Sequence, residues 1–202
     1  MIKTIFFDLG EVVLTNDWHY DCPEKFSEYS KYFGITYDDM ERGWNEAWPK
    51  YELGVISENK FWEIFLKTAR ARNIDIDKAK LLWRKYFSSK PEMFPLLAKL
   101  KENYKLVVLS ATGKEWLNYK IRKYNLHKYF SDYITTFNTG LKKTDENIYY
   151  LAAKKLDVKL QECLLIDDTD KVIQTANSVG MKTILFKSPK QLNSQLYKLH
   201  LL

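Results

Sequence analysis

Five short apolar runs punctuate the chain and constrain its fold more than any other feature: IKTIFFD at 2–8, KLVVLS at 105–110, DYITTF at 132–137, QECLLID at 161–167 and MKTILF at 181–186. Each is rich in Val, Ile, Leu or Phe, as strands buried on both faces of a parallel sheet are. Helical patterns separate the later runs, at 92–103, 113–125, 145–156 and 170–179, and a last helix fits 189–199. Strand and helix in alternation argue a doubly wound parallel sheet, an α/β fold.

Residues 16–90 break that alternation and carry no strand-like run. They read as four helices, at 23–33, 37–48, 57–72 and 77–88, with Ser57 as an N-cap and Gly34 and Gly54 as stops. Five of the six tryptophans fall here, and Trp44/Trp48 and Phe61/Phe65 sit one helical turn apart, which suits the core of a small bundle. The expected organisation is therefore an α/β core of residues 1–15 and 91–202 with a helical cap, 16–90, inserted after the first strand. SSKPE at 88–92 reads as the return linker.

Composition narrows the function classes. The net charge of +6 favours anionic partners, but no block of five or six like charges appears, so the lysines read as a solvated surface. The basic, aromatic stretch KIRKYNLHKYF at 120–130 reads as one amphipathic helix and its exit, which argues against nucleic acid as a partner. Two cysteines far apart make no disulfide framework, and three histidines make no His-rich metal site. The opening run meets Asp8 too soon for a signal peptide, and no window approaches ~18 apolar residues, so no membrane span is expected. These features point to a cytoplasmic protein.

Chemistry-bearing residues collect where predicted strands end. Asp8 ends the first, Ser110 the second, Lys142 and Lys143 follow the third, and Asp167 and Asp168 end the fourth. Ligands of open parallel sheets bind in the crevice beyond the carboxyl ends of the strands. If the first and fourth strands are neighbours, Asp8 meets Asp167, and Ser110 and a lysine can converge on them.

These motifs, in this order, resemble the haloacid dehalogenase-like hydrolase superfamily, most of whose members are phosphatases. The resemblance rests on Asp8-Leu9-Gly10-Glu11-Val12, Ser110-Ala111-Thr112, Gly140-Leu141-Lys142-Lys143 and Asp167-Asp168, and on a helical insert placed where the family carries its cap. YELGVISENKFW at 51–62 is similar to a stretch common in such caps. The resemblance implies a magnesium-dependent phosphomonoesterase acting, as a monomer or homodimer, on a small phosphorylated metabolite such as a sugar phosphate. Asp8 would be the nucleophile, giving an aspartyl-phosphate that water hydrolyses. Mg²⁺ would be held by Asp8, the Gly10 carbonyl and Asp167, with Asp168 beside them. Ser110 and the Ala111 N–H would hold phosphate oxygens, and Lys143 would supply positive charge to the phosphate and to Asp8.

One departure stands out. Most phosphatases of this family have an aspartate two residues after the nucleophile as general acid and base, and here that place is Gly10. Such a group is typically worth roughly 10² to 10⁴ in rate. Three explanations stay open: a leaving group good enough to depart unprotonated, another acid such as Glu11, Asp17 or His19, or a vestigial enzyme serving as a regulatory or binding protein. A subgroup with the Asp-Leu-Gly-x-Val pattern looks like sugar-phosphate phosphatases. The family's 2-haloacid dehalogenases also lack the second aspartate, but an acidic pair at Asp167-Asp168 would repel their carboxylate substrate. A smaller departure is Thr144 after Lys143, where the family usually has proline.

Overall fold

The computed structural model describes residues 1–16 and 23–202. The strands are β1 (Thr4–Phe7), β2 (Leu14–Asn16), β3 (Phe87–Ser89), β4 (Lys105–Ser110), β5 (Asp132–Thr135), β6 (Cys163–Asp167) and β7 (Lys182–Leu185). The helices are α1 (Pro23–Phe33), α2 (Tyr37–Glu52), α3 (Glu58–Thr68), α4 (Ile76–Lys85), α5 (Met93–Leu100), α6 (Lys114–Tyr124), α7 (Thr136–Thr139), α8 (Asn147–Leu156), α9 (Asp170–Ser178) and α10 (Pro189–Lys198).

Five strands form one parallel sheet in the order β5-β4-β1-β6-β7. β1 is central, pairing with β4 (Phe7 opposite Val108) and with β6 (Phe7 opposite Ile166). All four residues of β1 and all five of β6 are buried, because helices cover both faces. One face packs Ile5, Phe7, Leu106, Val108, Leu164 and Ile166 against α5, α6 and α10. The other packs Phe6, Val107, Leu109 and Leu165 against α8 and α9. The chain winds outward from β1 to β5 and then returns to the far side of β1 at β6. This reversal sets the carboxyl ends of β4, β1 and β6 side by side.

Helices α1 to α4 form a separate bundle with its own core. Ser57 caps α3 by accepting from the Lys60 amide, and Gly34 and Gly54 follow α1 and α2 in the left-handed region at φ 68° and 72°. Trp44 stacks on Trp48 with centroids 5.0 Å apart, and Phe61 on Phe65 at 6.1 Å. The bundle's core is completed from outside. Trp116 of α6 is 2% exposed and enters it, with centroids 4.8 Å from Tyr51, 4.8 Å from Trp83 and 5.2 Å from Phe61.

Two expectations are corrected. Residues 16–90 do contain strand: β2 and β3 pair antiparallel, Leu14 with Ser89, Thr15 with Ser88 and Asn16 with Phe87. At three residues each, these strands are too short for a period-2 signal. The run 132–137 is strand only to Thr135. There the Thr135 side chain accepts from the Asn138 amide, a capping box that starts α7 and competes with the apolar pattern. Cys163 is a buried free thiol, and Cys22 lies outside the described residues. Among the described residues no helix is long and apolar enough to cross a membrane.

Candidate active site

Asp8 follows β1 directly, and its amide donates to the Ile166 carbonyl at 3.0 Å, extending the sheet by one bond. The chain then turns sharply: the Val13 and Leu14 amides both donate to the Leu9 carbonyl, at 3.1 and 2.8 Å. Leu9, Val12 and Val13 are fully buried, so the turn is anchored by the core. Glu11 lies in the turn with φ 54°, a conformation unusual for a residue with a Cβ. Lys90 holds it there, donating to the Glu11 carbonyl and lying 3.4 Å from Oε2.

Asp167 ends β6 one strand away. Its Oδ1 accepts from the Thr169 amide at 3.0 Å, which orients the carboxylate across the strand ends. Lys143 joins the two acids. Its Nζ donates to Asp167 Oδ2 at 2.7 Å and lies 3.1 Å from Asp8 Oδ1. All three are buried, at 6% exposure for Asp8, 9% for Lys143 and 0% for Asp167. Burial alone would drive the Lys143 proton off, but the two carboxylates outweigh it and hold the ammonium above its ordinary range. Burial and the charge of Asp8 push Asp167 upward, against the pull of Lys143.

Local structure delivers that lysine. α7 closes on Gly140 in the left-handed conformation at φ 70°, and the chain then turns through Lys142 and Lys143. The Tyr149 hydroxyl donates to the Lys143 carbonyl at 2.7 Å and fixes its backbone. Ser110 ends β4 and is 2% exposed, with Ala111 and the buried Thr112 leading to Gly113, the N-cap of α6. Gly113 has no side chain to cap that helix, and the Tyr51 ring packs over its first turn, with the Tyr51 hydroxyl donating to Glu115 at 3.1 Å.

Of the residues expected from sequence, Asp8, Lys143 and Asp167 meet directly, while Ser110 and Ala111 lie on the neighbouring strand end. Gly10 sits in the turn after Asp8, bridged to Leu14. Asp168 is exposed beside Asp167. Asp17 and His19, the other two candidate stand-in acids, lie outside the described residues. Among the described residues no three His, Cys, Asp or Glu side chains form a metal-binding group; the site offers a pair of carboxylates.

Two further charged groups adjoin this cluster. Glu52, the last residue of α2, is 8% exposed with Oε1 3.7 Å from Lys142 Nζ. Burial raises its carboxyl, with Lys142 and Lys143 opposing. Lys120 of α6 is 4% exposed, its Nζ 4.9 Å from the centroid of the Phe87 ring; burial lowers it to about 8, with Asp8 acting the other way. Both belong to amphipathic helices, where a lone charge gives no sign that it will be covered. For Glu52 the available signals are its place just before Gly54, the stop of α2, and its inclusion in the cap-like stretch at 51–62.

Residues 2–180 match the family model of haloacid dehalogenase-like hydrolases. A glyceraldehyde 3-phosphate phosphatase of Methanopyrus kandleri is 30% identical over 109 residues, 52% of this chain and 46% of that protein. The chain spans between 36% and 62% of the length of the first three curated relatives it matches. Among solved structures, a HAD family enzyme of Bacteroides thetaiotaomicron in complex with magnesium and inorganic phosphate superposes with a TM-score of 0.78. It is 19% identical, over 93% of this chain and 95% of that one. A 2-haloacid dehalogenase of Pseudomonas syringae superposes at 0.65, with 18% identity, over 98% of this chain and 100% of that one. At these identities the superpositions speak for the fold alone.

Proposed function

We propose, from the premise that this chain belongs to the haloacid dehalogenase-like hydrolase family, that it is a magnesium-dependent phosphomonoesterase acting on a small phosphorylated metabolite. The single observation that carries this is the arrangement of Asp8 and Asp167 about one ammonium, that of Lys143. One positive charge against two buried carboxylates leaves negative charge uncompensated, which suits a divalent cation. Magnesium prefers oxygen ligands and keeps several waters, so two carboxylates and a carbonyl suffice. Asp8, Asp167 and the Gly10 carbonyl would hold it, with Asp168 at the rim. When bound, it neutralises the charge between nucleophile and phosphate. The likeness to a phosphatase of 30% identity, and a structural neighbour holding magnesium and phosphate, support the same reading.

The roles of the chain's own residues follow from charge and position. Asp8 attacks phosphorus, and its carboxylate oxygen forms the new bond. Lys143 pairs with Asp8 and faces the incoming phosphate with its charge. The Ser110 hydroxyl and the Ala111 amide bind phosphate oxygens at the end of β4. The bundle of α1 to α4 covers the crevice as a cap and excludes water while Asp8 reacts. Its side chains select the substrate.

A dehalogenase uses the same nucleophile on carbon and has no use for a second buried carboxylate facing an anionic substrate. The test is release of inorganic phosphate from a panel of phosphorylated metabolites, with magnesium and with chelator. Hydrolysis that requires magnesium, together with a magnesium-dependent rise in melting temperature that Asp167→Asn abolishes, is expected. Hydrolysis undiminished by chelator would reject the metal, and absence of hydrolysis across the panel would reject the activity.

A further inference from the structure

We propose that Glu52, carried to the strand ends by the helical insert, is the proton donor to the leaving-group oxygen, the task for which Gly10 has no side chain. This rests on the phosphatase reading above. The insert is docked at this residue: the Thr136 hydroxyl donates to the Glu52 carbonyl at 2.6 Å, linking the end of α2 to the segment just after β5. Two residues on, Gly54 approaches so closely that a Cβ there would lie 2.8 Å from the Phe137 carbonyl oxygen. The carboxyl is thereby fixed over the loop that supplies Lys142 and Lys143.

Its surroundings suit an acid. The charged groups acting on it are Lys142 and Lys143, both from that loop. Burial favours the neutral carboxyl before reaction, and Lys142, at 3.7 Å, stabilises the carboxylate that proton transfer leaves behind. Glu11 is differently placed, in the turn after β1 with its carbonyl and carboxylate both facing Lys90.

The step balances as follows. An Asp8 carboxylate oxygen forms a bond to phosphorus as the ester P–O bond breaks; the electron pair goes to the leaving oxygen, which takes the Glu52 proton. In the second half, water attacks phosphorus, its proton passes to the Glu52 carboxylate, and the Asp8 carboxylate is released with inorganic phosphate.

The experiment compares kcat/KM for p-nitrophenyl phosphate, whose leaving group departs without a proton, with that for glycerol 2-phosphate, whose leaving group needs one. This ratio reports events up to phosphoryl transfer to Asp8. In Glu52→Gln the alkyl ester is expected to lose roughly 100-fold or more and the aryl ester less than about fivefold, since a general acid is worth 10² to 10⁴ only where a proton is required. Lys142→Met leaves the carboxyl in place and removes its neighbouring charge. The high-pH fall in kcat/KM for the alkyl ester should then move to higher pH, an effect that mere loss of packing would not produce. Equal losses on both esters, no loss on either, an unmoved high-pH fall in Lys142→Met, or a selective alkyl loss in Glu11→Gln with none in Glu52→Gln would each overturn the assignment. So would a wild-type enzyme that hydrolyses the aryl ester alone. In these cases the phosphatase reading survives. A wild-type protein inactive on both esters and on the metabolite panel overturns that reading and this one together.

Discussion

The indole N–H of Trp116, on α6 of the sheet layer, donates to Glu58 Oε1 on α3 of the helical insert at 2.9 Å. Glu58 Oε2 accepts from Arg84 Nη2 at 2.6 Å, so one buried carboxylate ties two helices of the insert to a helix of the core. Glu58→Ala leaves the indole donor without its partner and should cost about 1–3 kcal/mol. Urea denaturation measures this; a loss below about 0.5 kcal/mol, the range of an ordinary surface change, would mean that the carboxylate contributes no net stability.

Asp8→Asn should abolish turnover while the fold persists, because the amide keeps the shape of the carboxylate and relieves its repulsion with Asp167. Phosphate release and a thermal melt check both halves. Undiminished turnover would remove Asp8 as the nucleophile.

Lys143→Met removes the ammonium that two buried carboxylates share. Breaking a buried ion pair from one side typically costs about 3–5 kcal/mol. Denaturation in chelator should show a loss of that order, and added magnesium should restore part of it by binding the folded state preferentially. A variant as stable as the wild type in chelator would contradict the charge balance described for the site.

Gly113→Ala should disturb the docking of the insert. A Cβ at Gly113 would lie 2.0 Å from Cζ of Tyr51, a fully buried ring whose hydroxyl donates to Glu115 at 3.1 Å. The expected results are lower stability, by about 1–3 kcal/mol as for overpacked sites, and enhanced proteolysis within the insert. Wild-type stability would show that the ring moves aside freely.

Lys120→Met should stabilise the protein at neutral pH. Burial lowers the Lys120 ammonium from 10.5 to about 8. Between these values the unfolded chain binds more protons than the folded one, so this group makes stability rise with pH from about 8 to 10.5 and is a constant liability below. The variant should gain roughly 1–3 kcal/mol at pH 7, one pKa unit being worth 1.36 kcal/mol, with the loss of the Phe87 contact set against it. The gain should shrink as pH rises through that window. A pH-independent difference would reject the explanation.

The sheet was legible because its strands are buried on both faces and so differ in texture from everything around them. KLVVLS at 105–110 and the observed β4 coincide to the residue. The acids at the strand ends were legible for a related reason: a charge that closes an apolar run, as Asp8 does after Phe7, has no packing explanation. Glu52 carries no such mark. It ends an exposed-looking helix and is covered only because α2 docks on α7, a contact between segments 84 residues apart. Trp116 was hidden in the same way, lying in a core helix while its ring belongs to the bundle. The β2–β3 pair was missed because three residues carry no periodicity and their pairing spans the whole insert.

That pairing has a consequence for how such molecules diversify. Asn16 and Phe87 lie opposite each other on neighbouring strands, so the helical segment leaves and rejoins the sheet layer through a single doorway. A tight hairpin could bridge that doorway in its place, and so could a different set of helices, with β1 and Asp8 undisturbed. The scaffold is in this respect a socket, and the helical insert is a plug that can be exchanged whole.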